Sequence, residues 1–387
     1  MTTEDKTMKL QSIRRRGALA VPNREQTFQG LPAGFAALLA LTAATLIVFG
    51  AGVSRAQAAA VPGAAGLVYS ADEHGNSISA IDLANGRVET FPIPVSPHNV
   101  DITADGARLL AVGDPAEEAG GHGEAEHGGE AEGQLLVFDA ERLASGPIAA
   151  IAVGEHPAHV VADREGRRAF VTLAGADAVA VVDLDQGKVV RTVGTGRYPH
   201  GQRISPDGRE LYVANVEDGS VSVIDTGTLA EVARIPVGRA PVQVGFTPDG
   251  GRVYVSLRDE NRVAVIDTAT RAVVTRIAVG RNPIQVHATP DGRFVYVANQ
   301  GSDAEPADTV SVIDVASGTV VDTIRTGAGA HGVAVSDDGR YVFVTNIVDG
   351  TVAVIDAERR SVVTAFAVGR GPNGITFRAT RDGKEGL

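Results

Sequence analysis

The sequence predicts an all-β fold, because one short two-strand unit recurs seven times along its 387 residues. In the clearest copy, residues 339–356, apolar residues alternate in two runs joined by a polar turn, which is typical of paired half-buried strands. The copies end in aspartates: Asp82, Asp139, Asp183, Asp225, Asp267, Asp314 and Asp356. A period of about forty residues with four strand-sized pieces is typical of a propeller blade. We therefore predict a seven-bladed β-propeller of four-stranded blades.

The order of strands within the repeats predicts how the ring closes. Strand a follows a Gly-x-x-Pro turn, as in residues 238–247, and a Pro-Asp-Gly turn leads to strand b. Strand c is the apolar run before the closing aspartate, and strand d follows it. The first repeat, residues 66–93, lacks strand a, whereas residues 372–377 form a strand a with nothing after it. We expect this C-terminal strand to complete the first blade, which would remove exposed sheet edges.

The first 58 residues are predicted to be a signal peptide that lies outside the fold. Four arginines at positions 14, 15, 16 and 24 precede an uncharged run over residues 35–53, and Ala56-Gln57-Ala58 supplies a small-x-small cleavage site. Nineteen apolar residues could also cross a bilayer, so an uncleaved membrane anchor is the alternative. These boundaries leave residues 59–380 for the propeller and 381–387 as a tail. Export predicts a periplasmic protein.

Charge and cysteine content exclude several functions. The chain has 47 acidic and 35 basic residues and a net charge of −12, which argues against nucleic acid and anionic membrane as partners and is compatible with cations. It contains no cysteine, which excludes disulfides, haem c attachment and thiolate metal sites. We find no G-x-S-x-G elbow, P-loop or HExxH motif, and we expect a monomeric, non-catalytic protein.

Three similar tetrapeptides, at equivalent places in three repeats, carry a family resemblance. FVTN at 343–346 and YVAN at 212–215 and 296–299 resemble the repeat of the YVTN family of seven-bladed β-propellers, and the likeness extends over residues 64–379. The family's asparagine is kept at Asn215, Asn299 and Asn346 and replaced at Leu173, Leu257, Ala71 and Gly113. The resemblance implies an exported and often non-enzymatic propeller. It leaves the ligand open, because function depends on sites carried by the fold.

Histidines concentrate on one predicted face of the propeller. Four of the nine lie one or two residues past the turn that opens strand a, at the mouth of the central channel: His98, His159, His200 and His331. The b–c loops of that face carry carboxylates such as Glu73, and the long b–c insert at 114–133 adds His122, Glu124, Glu126 and His127. Neutral imidazole is the commonest ligand for zinc and copper. We therefore predict a divalent-metal site, zinc before copper, with the four channel histidines as main ligands and the insert as a flexible capture arm.

Less specific interpretations of these histidines remain open. A single histidine at the channel entrance often only satisfies backbone groups, and the insert alone could be a solvated acidic loop. Opposite blades could also hold the histidines too far apart, in which case only His159 and His200, with a carboxylate, would bind a metal.

The predicted function is non-catalytic metal binding. Export, fold and a His-rich loop together resemble the β-propeller metallochaperones that hand zinc to the periplasmic binding protein of an importer. One alternative is a metal-free interaction scaffold whose acidic face docks a basic partner. The other is a lactonase-like hydrolase, for which Arg197 and Arg203 beside His200 would be candidates, although surface solvation is the simpler interpretation of both arginines.

Overall fold

The computed structural model describes residues 59–116 and 132–380, which form seven four-stranded antiparallel sheets. The sheets are the blades of a ring, so the predicted seven-bladed β-propeller is confirmed. The predicted signal peptide, most of the insert and the C-terminal tail lie outside the described residues, and the predictions made for them stay predictions. Within the described residues, no helix has the length and apolar character needed to cross a membrane.

The strands, numbered β1 to β28 in chain order, occupy equivalent places in every blade. The innermost strands are Pro372–Arg378 (β28), Val95–Ile102 (β4), Pro157–Ala162 (β8), Pro199–Ile204 (β12), Pro241–Phe246 (β16), Pro283–Ala288 (β20) and Ala330–Val335 (β24). The second strands are Leu67–Asp72 (β1), Arg108–Pro115 (β5), Arg168–Leu173 (β9), Glu210–Asn215 (β13), Arg252–Leu257 (β17), Phe294–Gly301 (β21) and Tyr341–Asn346 (β25).

The outer half of each blade repeats in the same way. The third strands are Ser77–Asp82 (β2), Gly133–Asp139 (β6), Ala178–Asp183 (β10), Ser220–Asp225 (β14), Arg262–Asp267 (β18), Pro306–Asp314 (β22) and Thr351–Asp356 (β26). The outermost strands are Arg87–Pro92 (β3), Ala149–Gly154 (β7), Lys188–Gly194 (β11), Ala230–Pro236 (β15), Ala272–Ala278 (β19), Thr319–Arg325 (β23) and Ser361–Ala367 (β27). In the described part of the chain, three single-turn 3₁₀ helices lie in connections, at Glu73–Gly75, Leu143–Ser145 and Arg258–Glu260.

The hydrophobic core lies between the faces of neighbouring blades. Second and third strands are buried on both faces, and Tyr212 and Val223 of one blade pack with Val244 and Val255 of the next. Burying each such side chain contributes about 1.5–3 kcal/mol. Outermost strands are mostly exposed, and in Ala272–Ala278 only Ile277 is buried. The repeated alternation in the sequence therefore encodes a ring of sheet-on-sheet contacts.

The ring closes as predicted. The last strand pairs antiparallel with the first, with Tyr69 opposite Thr376 and Leu67 opposite Arg378. The same strand contacts the innermost strands of the blades on both sides, β24 and β4. The first blade is therefore built from both ends of the propeller sequence.

The predicted place of the family asparagine in the first blade is wrong by one residue. Asn215 lies opposite Ser220 in the strand register, and the residue in the same relation to Ser77 is Asp72, not Ala71. Tyr69 is fully buried like Tyr212, which fixes the alignment three residues further on at Asp72. The buried Asp72 carboxylate accepts hydrogen bonds from Ser77 and Ser79, at 3.2 and 2.6 Å, where the asparagine amide donates to two serines.

Candidate metal centre

Three histidines from three consecutive blades meet at the centre of the ring. His98, His159 and His200 lie on the innermost strands β4, β8 and β12, and each offers a ring nitrogen within 4.8 Å of those of the other two. Their ring centroids are 4.8–5.8 Å apart. We call these residues the three-histidine group. The distance between non-adjacent blades therefore does not restrict the site to His159 and His200.

A bulge in each innermost strand aims these side chains inward. The strand register shifts between Pro157 and Val160 in β8 and between Pro199 and Gln202 in β12. Bulges re-aim side chains in this way and are frequent at functional sites. Thr172 ties the two bulged strands together, because its hydroxyl accepts from the His159 N–H at 2.9 Å and donates to the His200 carbonyl at 2.7 Å.

A carboxylate and an amide orient His98. Its Nδ1 lies 3.0 Å from Oε1 of Glu73, which leads the 3₁₀ helix between β1 and β2, so the ring donates to the carboxylate. The other carboxylate oxygen accepts from the Asn373 amide at 2.6 Å. A histidine held in this way presents Nε2 as its free acceptor, which is the usual arrangement around metal-binding histidines.

The acceptor nitrogens of His98 and His200 face each other. His200 Nδ1 lies 3.3 Å from the Val242 carbonyl and donates to it, which leaves its lone pair on Nε2. The two Nε2 atoms are 3.0 Å apart. Two lone pairs at this distance repel unless a proton or a cation lies beside them. Two ligands of a tetrahedral zinc ion would stand about 3.3 Å apart, given Zn–N bonds of about 2.0–2.1 Å.

His159 is the member of the three-histidine group whose ring nitrogens lack hydrogen-bond partners among the described residues. Its side chain is buried, and within the described part of the chain neither ring nitrogen has a hydrogen-bond partner. Its backbone is fixed, since its carbonyl accepts from the Gln202 amide at 3.0 Å. An unmet buried polar group costs about 1–3 kcal/mol. A metal ion would supply a partner for one nitrogen, so the residues present fit such an ion.

Burial favours the neutral, metal-binding form of His159 and His200. Burial first, and then the charges of His200 and His98, lower the pKa of His159 well below its usual value. Burial and the charge of His98 lower the pKa of His200 to about 3. Burial alone would raise the pKa of Glu73, but hydrogen bonding and charge from His98 outweigh it and, with Asn373, lower that pKa to about 2. The centre thus combines the neutral imidazoles of His159 and His200 with one ionised carboxylate, that of Glu73.

The remaining predicted ligands fall outside this arrangement. His331 is buried on β24, and in the described residues it is not part of the three-histidine group, although burial and the charge of His98 lower its pKa to about 4. His122, Glu124, Glu126 and His127 lie outside the described residues. The sequence named Glu73 only as one of several carboxylates on this face, and neither Asn373 nor the Val242 carbonyl was predicted to support a histidine. Both supports depend on contacts between blades that no local pattern reveals.

The two arginines beside His200 have different surroundings. Arg197 is exposed and pairs with Asp218 at 2.8 Å, as expected of a solvated residue. Arg203 is only partly exposed and lines a cavity at the ring centre. Surface solvation is therefore the wrong interpretation of Arg203, because β12 turns this side chain toward the ring axis.

Comparison with known families identifies the family to which this propeller belongs. Residues 137–288 and 254–387 match the family described as YNCE-like beta-propeller, and together they extend over more than half of the chain. The chain belongs to the YNCE-like beta-propeller family. The expected likeness to YVTN-type propellers is confirmed. Membership of the YNCE-like family specifies the scaffold and leaves the ligand of the three-histidine group open.

Solved structures match this YNCE-like propeller along most of its length. Hydrazine synthase from Kuenenia stuttgartiensis is 22% identical, with a TM-score of 0.62 over 75% of this chain and 97% of that one. A functionally unknown protein from Desulfotomaculum acetoxidans is 16% identical, with a TM-score of 0.65 over 82% and 100%. A putative 6-phosphogluconolactonase from Bacteroides uniformis is 16% identical, with a TM-score of 0.65 over 81% and 100%. At these identities the likeness concerns the fold. No curated protein matches the chain.

Proposed function

We propose that this YNCE-like propeller binds one divalent transition-metal ion at His98, His159 and His200, with zinc preferred to copper, and that it carries the ion without transforming it. One observation carries the proposal: two histidine acceptors face each other at 3.0 Å beside a buried histidine with no partner for either ring nitrogen in the described residues. A cation satisfies all three groups at once. Zinc is the first choice because it imposes no geometry of its own, whereas Cu(II) favours square-planar donors.

The charge and the openness of the centre support a carrier. Glu73 supplies one negative charge next to the ligands, which partly offsets the charge of a bound cation. Three protein donors leave a fourth position of a tetrahedral ion free for water or for a donor from another protein. His98 and Glu73 keep about a quarter of their side chains exposed, at 25% and 26%. An ion at this depth is held on rigid strands and still reachable from the face that carries the b–c loops.

The cellular setting belongs to the same proposal. The N-terminal sequence supports export to the periplasm, where the ion would pass to a metal-binding protein of an importer. The insert, with His122, Glu124, Glu126 and His127, would capture ions and deliver them to the three-histidine group. The net charge of −12 is consistent with a cation carrier that binds neither nucleic acid nor anionic membrane.

Zinc titration by calorimetry tests the proposal, using full-length protein purified without a histidine tag. We expect one tight zinc ion per chain, lost in His159→Ala and kept in His74→Ala, which removes an exposed histidine from a loop of the same face. A variant without residues 117–131 separates the two parts of the proposal, because tight binding that survives the deletion belongs to the three-histidine group. Equal binding by the His159→Ala variant and the unaltered chain would assign the ion elsewhere. Absence of binding would leave the interaction scaffold.

A further inference from the structure

A second, chemically distinct cavity lies deeper in the ring centre. It has a volume of about 260 Å³ and is lined by residues of β4, β8, β12, β20, β24 and β28. Asp101 and Arg203 follow His98 and His200 by three residues on the same strands, so they lie further along the strands, by at most about 10 Å. None of the three histidines lines it. The cavity is therefore separate from the proposed metal centre.

Opposite charges face this cavity without joining each other. Arg203 donates from Nη1 to the Gln202 carbonyl at 3.1 Å, and Oδ2 of Asp101 accepts from the Ala162 N–H at 3.0 Å. Neither side chain takes part in an ion pair within the described residues. They are nonetheless close enough to interact, because burial lowers the pKa of Arg203 and raises that of Asp101 while each charge opposes the shift of the other. A partly buried guanidinium and carboxylate held apart carry desolvation costs that no direct contact offsets.

The other groups that line the cavity restrict the class of ligand that it can bind. His287 donates from Nδ1 to the Val333 carbonyl at 3.2 Å, so its Nε2 is an acceptor. Asp337, which is exposed, adds a carboxylate to the lining, and Val161, Val335 and Ile375 form apolar wall. The volume equals that of roughly nine water molecules. It is smaller than the 300–1,000 Å³, roughly, of sites for drug-sized ligands.

We propose that this cavity binds a small α-amino acid as its zwitterion. The amino-acid carboxylate pairs with the Arg203 guanidinium, which suits a planar two-oxygen partner. The ammonium donates to the Asp101 carboxylate and to Nε2 of His287, and a short aliphatic side chain lies against the apolar wall. A simple oxyanion would leave Asp101 without a positively charged partner, and a simple amine would leave Arg203 without a negatively charged one.

Calorimetry on the unaltered full-length chain with three probes tests this proposal: L-alanine, acetate and ethylamine. EDTA is present throughout, so that the amino acid cannot bind through a metal ion. We expect alanine to bind at least tenfold more tightly than either half-molecule. Acetate as tight as alanine would identify an oxyanion site, ethylamine as tight would identify an amine site, and no binding of alanine would equally overturn the proposal.

Two variants then assign the contacts. Arg203→Gln and Asp101→Asn should each weaken alanine binding at least tenfold, whereas Arg209→Gln, whose side chain is 84% exposed, should leave it unchanged. Thermal unfolding shows whether each variant is folded, and the three-probe comparison on the unaltered chain decides the matter if one is not. Unchanged alanine binding in a folded Arg203→Gln variant would overturn the assignment. Neither experiment depends on whether the three-histidine group binds a metal.

Discussion

His98 and His200 bring their Nε2 atoms to 3.0 Å although a complete blade lies between the strands that carry them. The intervening blade contributes Ala158 where they contribute histidine, and its own His159 comes one residue later in the bulge. Because each ring donates its Nδ1–H to a protein acceptor, both rings direct a lone pair to the same point. The following predictions rest on this arrangement.

Replacing Glu73 with glutamine should weaken zinc binding about ten- to hundredfold while leaving the fold intact. Glutamine keeps the shape of the side chain but removes the charge that orients His98 and increases its basicity. Competition titration with a chromogenic chelator measures the change. Glu217→Gln, which neutralises an exposed carboxylate on the same face, is the matched control. Equal losses in both variants would indicate a general effect of surface charge.

Replacing Thr172 with valine should weaken zinc binding about tenfold and lower the free energy of unfolding by about 2 kcal/mol. Valine has nearly the same shape but leaves the His159 N–H and the His200 carbonyl without their hydroxyl partner. Urea unfolding and zinc titration on the same preparation provide both numbers. Thr323→Val, at an exposed position of an outermost strand, should change neither. Full zinc affinity in a destabilised Thr172→Val protein would contradict the proposed tie between the two strands.

The metal-free protein should lose stability as the pH falls from 6.5 to 5. The folded pKa of His200 is about 3, below the unfolded value of about 6.5, so the unfolded chain takes up a proton that the folded chain excludes. This group alone contributes about 1.5 kcal/mol to the loss over that range. His159, His287 and His331 act in the same direction, since burial lowers the pKa of each.

A comparison of variants isolates the contribution of His200 to this loss of stability. Urea unfolding in EDTA at pH 6.5 and 5 should show a smaller loss for His200→Gln than for the unaltered chain. His74→Gln, at an exposed position, should show the full loss. A His200→Gln protein that loses as much stability as the unaltered chain would mean that folding does not lower the pKa of His200.

The closing strand should be essential to stability. Ile375→Ala removes a side chain of β28 that is 4% exposed and packs with Val68 and Phe343. We expect the free energy of unfolding to fall by about 2–4 kcal/mol, the usual cost of such a cavity. Val363→Ala, on the outer rim of the neighbouring blade and 38% exposed, should change it by less than about 0.5 kcal/mol. Similar small losses in both variants would show that blade closure contributes little.

The sequence predicted the fold because every blade repeats the same alternation in phase. The incomplete first repeat and the unpaired segment at 372–377 together predicted how the ring closes, and the strand pairing confirms it. The sequence placed the family asparagine of the first blade one residue early, at Ala71. The polar break of this repeat is short, and only the strand register with Ser77 identifies Asp72 as the equivalent residue.

The site was predicted less completely, for a physical reason. His98, His159 and His200 follow the turn that opens an innermost strand, and this place in the repeat predicted that they face the channel. It equally selected His331, which faces the same channel from β24 and is not part of the three-histidine group. Local spacing gives a residue's depth in the channel and not the partners it meets across it. For the same reason the roles of Glu73 and Asn373, and the inward direction of Arg203, required the assembled ring.

The path from Asn373 through Glu73 to His98 also sets an order of events during synthesis. Asn373 lies on the strand that closes the ring, whereas Glu73 follows the first strand and His98 lies on the fourth. The ribosome translates the three histidine ligands well before it reaches codon 373. The support of His98 therefore cannot be complete until β28 has emerged. Closure of the ring by β28 completes the surroundings of His98, the first of the three ligands to be translated.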